Sequence, residues 1–276
     1  MKKISTLLLA LVAMAATAGA QDYALEVCNV QVTDANKSDI AAAVNAVYPG
    51  AVSGKITYDS NSGKLVLDNV KVNSETITRL IDINKNAVPR KKYTIELVGE
   101  NTFASTHGNA GGIYVGSEAP DMGTEVTITG SGNLSIDVSK GFSAIVVRIS
   151  TFTIDATTVH AKGWRGIEGN AGELVIKNAY VSASKIFGFN KITLTDCEIA
   201  EPAGAIIVNN GGVFDIWVND YYAENVVIKP TSGASIGSIT SDDNADNRWH
   251  SLDGKRLNGE PTTKGVYINK GKKVVK

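Results

Sequence analysis

Four residues of this chain could meet a ligand together: His160, Trp164, Arg165 and Glu168. An indole offers a large flat apolar face, and arginine and glutamate beside it offer fixed donors and acceptors. That set suits a sugar ring, which stacks on the indole while neighbouring polar groups orient its hydroxyls. A second reading of Trp164 stays open, in which it is a corner residue covering the edge of the fold. Glycosidic-bond cleavage needs a different pattern. Hydrolysis requires two carboxylates facing each other across the bond. Calcium-assisted elimination requires a cluster of acidic oxygens beside an unprotonated base. The acids of the same region do not converge in that way. Asp155 falls on one outward face between Thr129 and Lys177. Asp137 and His160 fall on a second face, next to Ser182, and Arg148 and Glu168 on a third. This arrangement names no catalytic residue, metal ligand or cofactor. His107 stands in a Gly/Ser/Asn loop and reads as solvated. Asp59-Ser-Asn61-Ser-Gly63 has some donors of a calcium loop but lacks its distal glutamate, so it reads as a turn.

The elements that carry these residues repeat. Val126-Thr-Ile128, Phe152-Thr-Ile154, Leu174-Val-Ile176 and Ile192-Thr-Leu194 each read as a strand with one buried face. A second apolar signal follows each, at Leu134/Ile136, Val159/Ala161, Val181/Ala183 and Ile199. A third follows that, at Ile145/Val147, Ile167, Phe187/Phe189 and Ile206/Val208. Glycine- and asparagine-rich corners separate them: Gly130-Ser-Gly132-Asn133, Gly169-Asn170-Ala-Gly172 and Asn209-Asn210-Gly211-Gly212. Three strands per cycle, in constant order and with variable corners, predict an all-β fold of the right-handed parallel β-helix (solenoid) type. Ile128, Ile154, Ile176 and Leu194 should then stack as one column. The competing arrangement is an antiparallel β-sandwich.

The flanks divide the chain further. Residues 1–20 read as a signal peptide, with Lys2 and Lys3, an apolar run from Ile4 to Ala16, and the small-residue site Ala18-Gly19-Ala20. Residues 21–72 read as an N-terminal cap leading into the first coil. Within it Tyr23–Val32 alternates as a strand, Asp39 caps a helix over Ile40–Val47, and a hairpin turns at 59–63. The solenoid occupies 73–231, with a looped or helical excursion over 76–86. A Gly/Ser/Asp-rich linker covers 232–247, and a short β appendage 248–276. Cys28 and Cys197 read as two separate thiols. The net charge of −1 gives no general attraction to nucleic acid, and nothing after the signal is long and apolar enough for a membrane helix.

Ile56-Thr-Tyr-Asp59, Leu65-Val-Leu-Asp-Asn69, Tyr93 to Asn101 and Val126 to Leu134 carry a resemblance. In these motifs the chain resembles exported bacterial carbohydrate-binding-domain-containing proteins with a right-handed β-helix and no characterised function. The resemblance spans about residues 23 to 230. It implies a secreted or cell-surface, non-catalytic protein whose partner is a glycan or polysaccharide. Since β-helices also host pectin lyases and galacturonan hydrolases, a polysaccharide lyase or glycoside hydrolase is the first alternative, and a structural or adhesive surface protein the second. Trp249 to Leu257, Lys264 to Ile268 and Gly271 to Lys276 are similar to the end of a type IX secretion C-terminal sorting domain, of which about the last third is present. That implies contact with secretion machinery and display on the outer surface. Without active sorting, the expectation is a periplasmic location.

Overall fold

The computed structural model describes residues 22–83, 92–116 and 123–231, and towards the C-terminus 249–251, 257, 259–263, 265–269 and 272–275. The described residues are all-β around one short helix. Its largest sheet is nearly closed and barrel-like, passing through 12 strands, and a second sheet has seven.

The repeated triplets form strands in the expected register. Glu125–Thr129, Thr151–Asp155, Glu173–Lys177 and Lys191–Thr195 pair in parallel, with Ile128 beside Ile154, Ile154 beside Ile176, and Ile176 beside Leu194. The column continues back through Ile95 to Leu65. Ile128, Ile154 and Ile176 are wholly buried, while Leu194 at the end of the row is partly covered. Each buried side chain of this size stabilises by about 1.5–3 kcal/mol relative to exposure. A second ladder joins Glu100–Ser105, Asn133–Val138, Thr158–Gly163 and Tyr180–Ala183 in parallel. A third joins Arg79–Ile83, Gly111–Gly116, Ile145–Arg148, Ile167–Asn170 and Ile186–Phe187, with Ile81, Ile113, Ile145, Ile167 and Ile186 in register. From residue 92 to 195 the chain visits the three ladders in fixed order. Sandwich hairpins do not describe this pairing.

The bend from the first ladder to the second uses left-handed backbone at Asn69, Gly99, Ala156, Asn178 and Asp196, with φ of 50°, 63°, 52°, 44° and 53°. Asn101 is buried within this bend. Its Oδ1 accepts from Val70 N at 3.0 Å, and its Nδ2 donates to Asn133 O at 3.1 Å, so one amide ties three successive turns of the chain.

The N-terminal region differs in one respect from its reading. Tyr23–Val32 is not a single strand. Asp22–Val27 and Val30–Thr33 pair antiparallel around Cys28 and Asn29, whose φ values of 49° and 61° make a tight reversal of the kind asparagine tolerates. The helix spans Ile40–Val47, and the Asp39 carboxylate accepts from Ala42 N at 3.0 Å. Val52–Asp59 and Lys64–Ser74 form the hairpin. Asp59 closes its turn by accepting from Asn61 N at 3.0 Å and Ser62 Oγ at 2.6 Å, a local use of the oxygens that resembled a calcium loop. Within the expected excursion, Arg79–Ile83 is instead a strand of the third ladder, because Leu80, Ile81 and Ile83 are all buried. Residues 84–86 lie outside the described residues.

The larger difference lies at the other end. Ile206–Asn210 does not extend the third ladder. It pairs antiparallel with Val213–Val218, which pairs with Tyr221–Tyr222, and 209–212 is the hairpin turn, with Asn209 Oδ1 accepting from Gly212 N at 2.8 Å. This small sheet covers the last rung: Phe189 and Phe214 exchange backbone hydrogen bonds, and Gly188 N donates to Asp215 at 2.7 Å. Ile199 keeps its column but moves one place along it. Val226–Pro230 inserts antiparallel between Tyr180–Ala183 and Cys197–Glu201, placing Ile228 between Val181 and Ile199.

Cys28 and Cys197 are free thiols, the first buried and the second half-buried. Among the described residues no helix is long and apolar enough to cross a membrane. Residues 236–276 form a separate unit. In it Trp249–Ser251, Val266–Asn269 and Lys272–Val275 make an antiparallel sheet, with Trp249 edge-on to Tyr267 at 6.4 Å. Residues 1–20, read as a signal peptide, and 232–247, read as a linker, lie outside the described residues.

Candidate functional site

Trp164 and Arg165 occupy the corner between Thr158–Gly163 and Ile167–Asn170. The corner is fixed by its neighbours. Trp164 N donates to Phe142 O at 2.9 Å, and Ile145 N donates to Gly166 O at 3.0 Å. Gly166, at φ 69°, turns the chain into the next strand. This backbone pins the indole at the surface, where it is 61% exposed. It therefore does not serve as a buried edge cover.

Arg165 places its guanidinium carbon 4.6 Å from the centroid of the Trp164 ring and donates from Nη1 to Glu168 Oε1 at 2.6 Å. Ser143, buried in the preceding turn, donates to the other oxygen, Glu168 Oε2. Arginine stacks on one indole face, the carboxylate fixes the arginine, and the serine fixes the carboxylate. The cluster can stack an apolar ring face on Trp164 and offer guanidinium donors and carboxylate lone pairs at its edge. Sequence reading missed Ser143. The register that sets Val146 beside Glu168 brings the turn carrying Ser143 against this corner.

His160 is not part of this cluster. It stands on the outward face of the second ladder, between Ser135 and Ser182. Its Nδ1 lies 2.7 Å from Ser182 Oγ, and its ring tilts against Tyr180 at 5.7 Å. Together with Lys162, Asn225 and Val227, His160 lines a separate groove of about 250 Å³, to which Trp164, Arg165 and Glu168 contribute nothing. Burial lowers the pKa of His160, so its neutral form is favoured. A neutral histidine bonded to a serine hydroxyl is the beginning of a nucleophilic pair. The backbone N–H groups on either side of His160 belong to the parallel ladder. Sequence spacing put His160 four residues before Trp164. The extended strand carries it onto another face.

The remaining acids each face a base. Asp137 pairs with Lys162 at 2.9 Å, and Asp155 with its ladder neighbour Lys177 at 3.4 Å. Burial opposes the charge of Asp137, but hydrogen bonds from Ser139 and Lys162 outweigh it and lower its pKa. No two of Asp137, Asp155 and Glu168 are brought together. Among the described residues no cluster of three or more His, Cys, Asp or Glu could hold a metal ion. His107 accepts from Asn109 N at 3.0 Å and shapes its own loop.

No family, no curated protein and no solved structure matches this chain.

Proposed function

We propose that this is an exported protein that binds carbohydrate without cleaving it, at the cell surface or outside the cell, with Trp164, Arg165 and Glu168 as the contact site. In the same reading the three parallel ladders are the faces of a right-handed parallel β-helix, residues 21–72 cap its start, and the C-terminal unit is a sorting-like appendage that addresses the protein to the outer surface. The observation that carries the binding site is the exposed indole held by an arginine that is itself held by Glu168. An indole left in water exposes apolar area at a cost, and a soluble chain with few aromatics can place such a residue in its core. Here it is buttressed in place instead.

The test is a glycan-array screen of the mature protein and of Trp164→Ala, run beside a reducing-sugar release assay. The parent should bind one class of glycan, and the variant should lose at least tenfold in affinity while melting within a few degrees of the parent. Retained binding by Trp164→Ala would remove the site. Release of new reducing ends would replace the reading with a polysaccharide-cleaving one. For the address, deleting residues 236–276 should lower the surface-exposed fraction and leave the periplasmic fraction intact.

A further inference from the structure

The corner that carries Trp164 has a structural counterpart three rungs earlier. In the third ladder Ile81, Ile113, Ile145 and Ile167 are in register. Arg79 therefore occupies the same place as Arg165, two residues before its isoleucine, and Asp82 the same place as Glu168, one residue after it. Arg79-Leu-Ile-Asp82 and Arg165-Gly-Ile-Glu168 share the spacing Arg-x-Ile-acid, with Arg79 inside its strand and Arg165 at the corner that leads into its own. In both, the arginine reaches its own acid: Arg79 Nε lies 3.9 Å from Asp82 Oδ2, and Arg165 Nη1 2.6 Å from Glu168 Oε1. In both, the guanidinium also stacks on an aromatic ring. Arg79 stands 4.8 Å from the centroid of Tyr114, and Arg165 stands 4.6 Å from that of Trp164.

The two clusters lie on the same side of the third ladder, a side that is covered at Asp82. Asp82, Tyr114, Val146 and Glu168 are successive neighbours across the strands. At the usual spacing of ~4.8 Å per strand, Asp82 and Glu168 stand about 14 Å apart. Half-buried Val146 lies between Tyr114 and Glu168. The clusters differ in one way: the Asp82 carboxylate is almost wholly buried, so the earlier cluster offers its phenol and guanidinium rather than its acid.

We infer that Arg79–Tyr114 and Trp164–Arg165–Glu168 are two subsites for one neutral glycan chain that runs across the strands of the third ladder, an inference that presupposes glycan binding at Trp164. Each arginine has an acid beside it, at 3.9 Å for Arg79 and 2.6 Å for Arg165, so these clusters favour uncharged sugars over a polyanion or a polycation. A chain of uncharged sugars has what they can use: apolar ring faces for Tyr114 and Trp164, and hydroxyls for the polar atoms beside them. A pyranose chain laid along this direction advances by roughly one sugar per rung, and a chain reaching both rings gains by linkage what neither subsite supplies alone.

The experiment is native-gel retardation of the mature protein in gels carrying laminarin, galactomannan or hydroxyethyl cellulose, with calorimetric titration by the matching disaccharide. Tyr114→Ala should weaken polymer binding by about tenfold, the loss of one stacking contact, and leave disaccharide binding unchanged. Trp164→Ala should weaken polymer binding and abolish the disaccharide signal. Arg79→Gln, at a partly exposed position, should repeat the Tyr114→Ala pattern and serves if that variant does not fold. Polymer binding equal to the parent in both Tyr114→Ala and Arg79→Gln, with loss in Trp164→Ala, would overturn the second subsite and leave the first standing. A parent retarded by none of the polymers, or a Trp164→Ala variant retarded like the parent, would overturn both.

Discussion

Gly130→Ala should be among the most damaging single-methyl additions in this chain, and its cost can be worked from the geometry. Gly130 has φ 121°, in a region that side-chain-bearing residues essentially avoid. Holding alanine there costs about 1–3 kcal/mol. A Cβ at this position would also collide with the Leu97 carbonyl oxygen and lie 2.7 Å from Leu97 N, both backbone atoms of the preceding turn of the chain. Those atoms belong to a hydrogen-bonded ladder and cannot rotate away, so relief requires the rungs to part, at about 1–3 kcal/mol more. The expected total is about 2–6 kcal/mol. Gly211 supplies the control: its φ is 64°, yet nothing stands within 4 Å of an added Cβ. Gly211→Ala should cost about 1 kcal/mol, the left-handed penalty less the entropy removed from the unfolded chain. Gly108→Ala, with no positive φ and open space around it, should be neutral or stabilise by about 0.4–1 kcal/mol. Urea denaturation of the three variants, with midpoints read at unchanged m-value, measures the differences. A Gly130→Ala cost within about 0.5 kcal/mol of Gly211→Ala would mean that the Leu97 backbone does not lie against this corner, and the stacking of successive turns would be wrong there.

Three further outcomes follow from individual environments. Burial depresses the pKa of His160 below its ordinary 6.5, so the folded state binds this proton less readily than the unfolded state; the associated stability is present above pH ~6.5 and falls as the pH drops below it, and His160→Gln should flatten this part of a melting-temperature profile while leaving the acid limb below pH ~4 in place. Burial also pushes the Cys28 thiol up to about 12, so Ellman's reagent should modify at most Cys197 in the native protein and both thiols only after denaturation. Asn101→Ala leaves the buried Val70 N–H without its acceptor and should cost about 1–3 kcal/mol by urea denaturation, whereas Asn101→Asp keeps that acceptor but turns a carboxylate oxygen on the Asn133 carbonyl, so it should cost more near neutral pH than at pH 3, where the protonated acid donates in place of Nδ2.

Much of this architecture is written locally. Apolar alternation in Val126–Ile128, Phe152–Ile154, Leu174–Ile176 and Ile192–Leu194 identifies the strands, and because a strand has a period of two, it also fixes which residues face inward. The same periodicity gave the column of isoleucines, the helix over Ile40–Val47 with its Asp39 cap, the hairpin at 59–63, and the pairing of Asp155 with Lys177. Other features depend on strands choosing partners far away in sequence, and no residue spacing records that choice. Ile199 and Ile206 carry the same apolar signal as earlier strands. Their fate was decided by Val226–Pro230, which competes for the edge of Tyr180–Ala183, and by the hairpin at 209–212, which turns Ile206–Asn210 back on Val213–Val218. Arg79–Ile83 reads as part of a looped or helical excursion until the third ladder supplies a neighbour that buries Leu80 and Ile81. At the candidate site the sequence supplied Trp164, Arg165 and Glu168, three residues close enough in the chain to meet around one corner. Tertiary structure removed His160 by carrying it round to another face, and added Ser143 and the counterpart cluster at Arg79 by stacking turns that lie many residues apart.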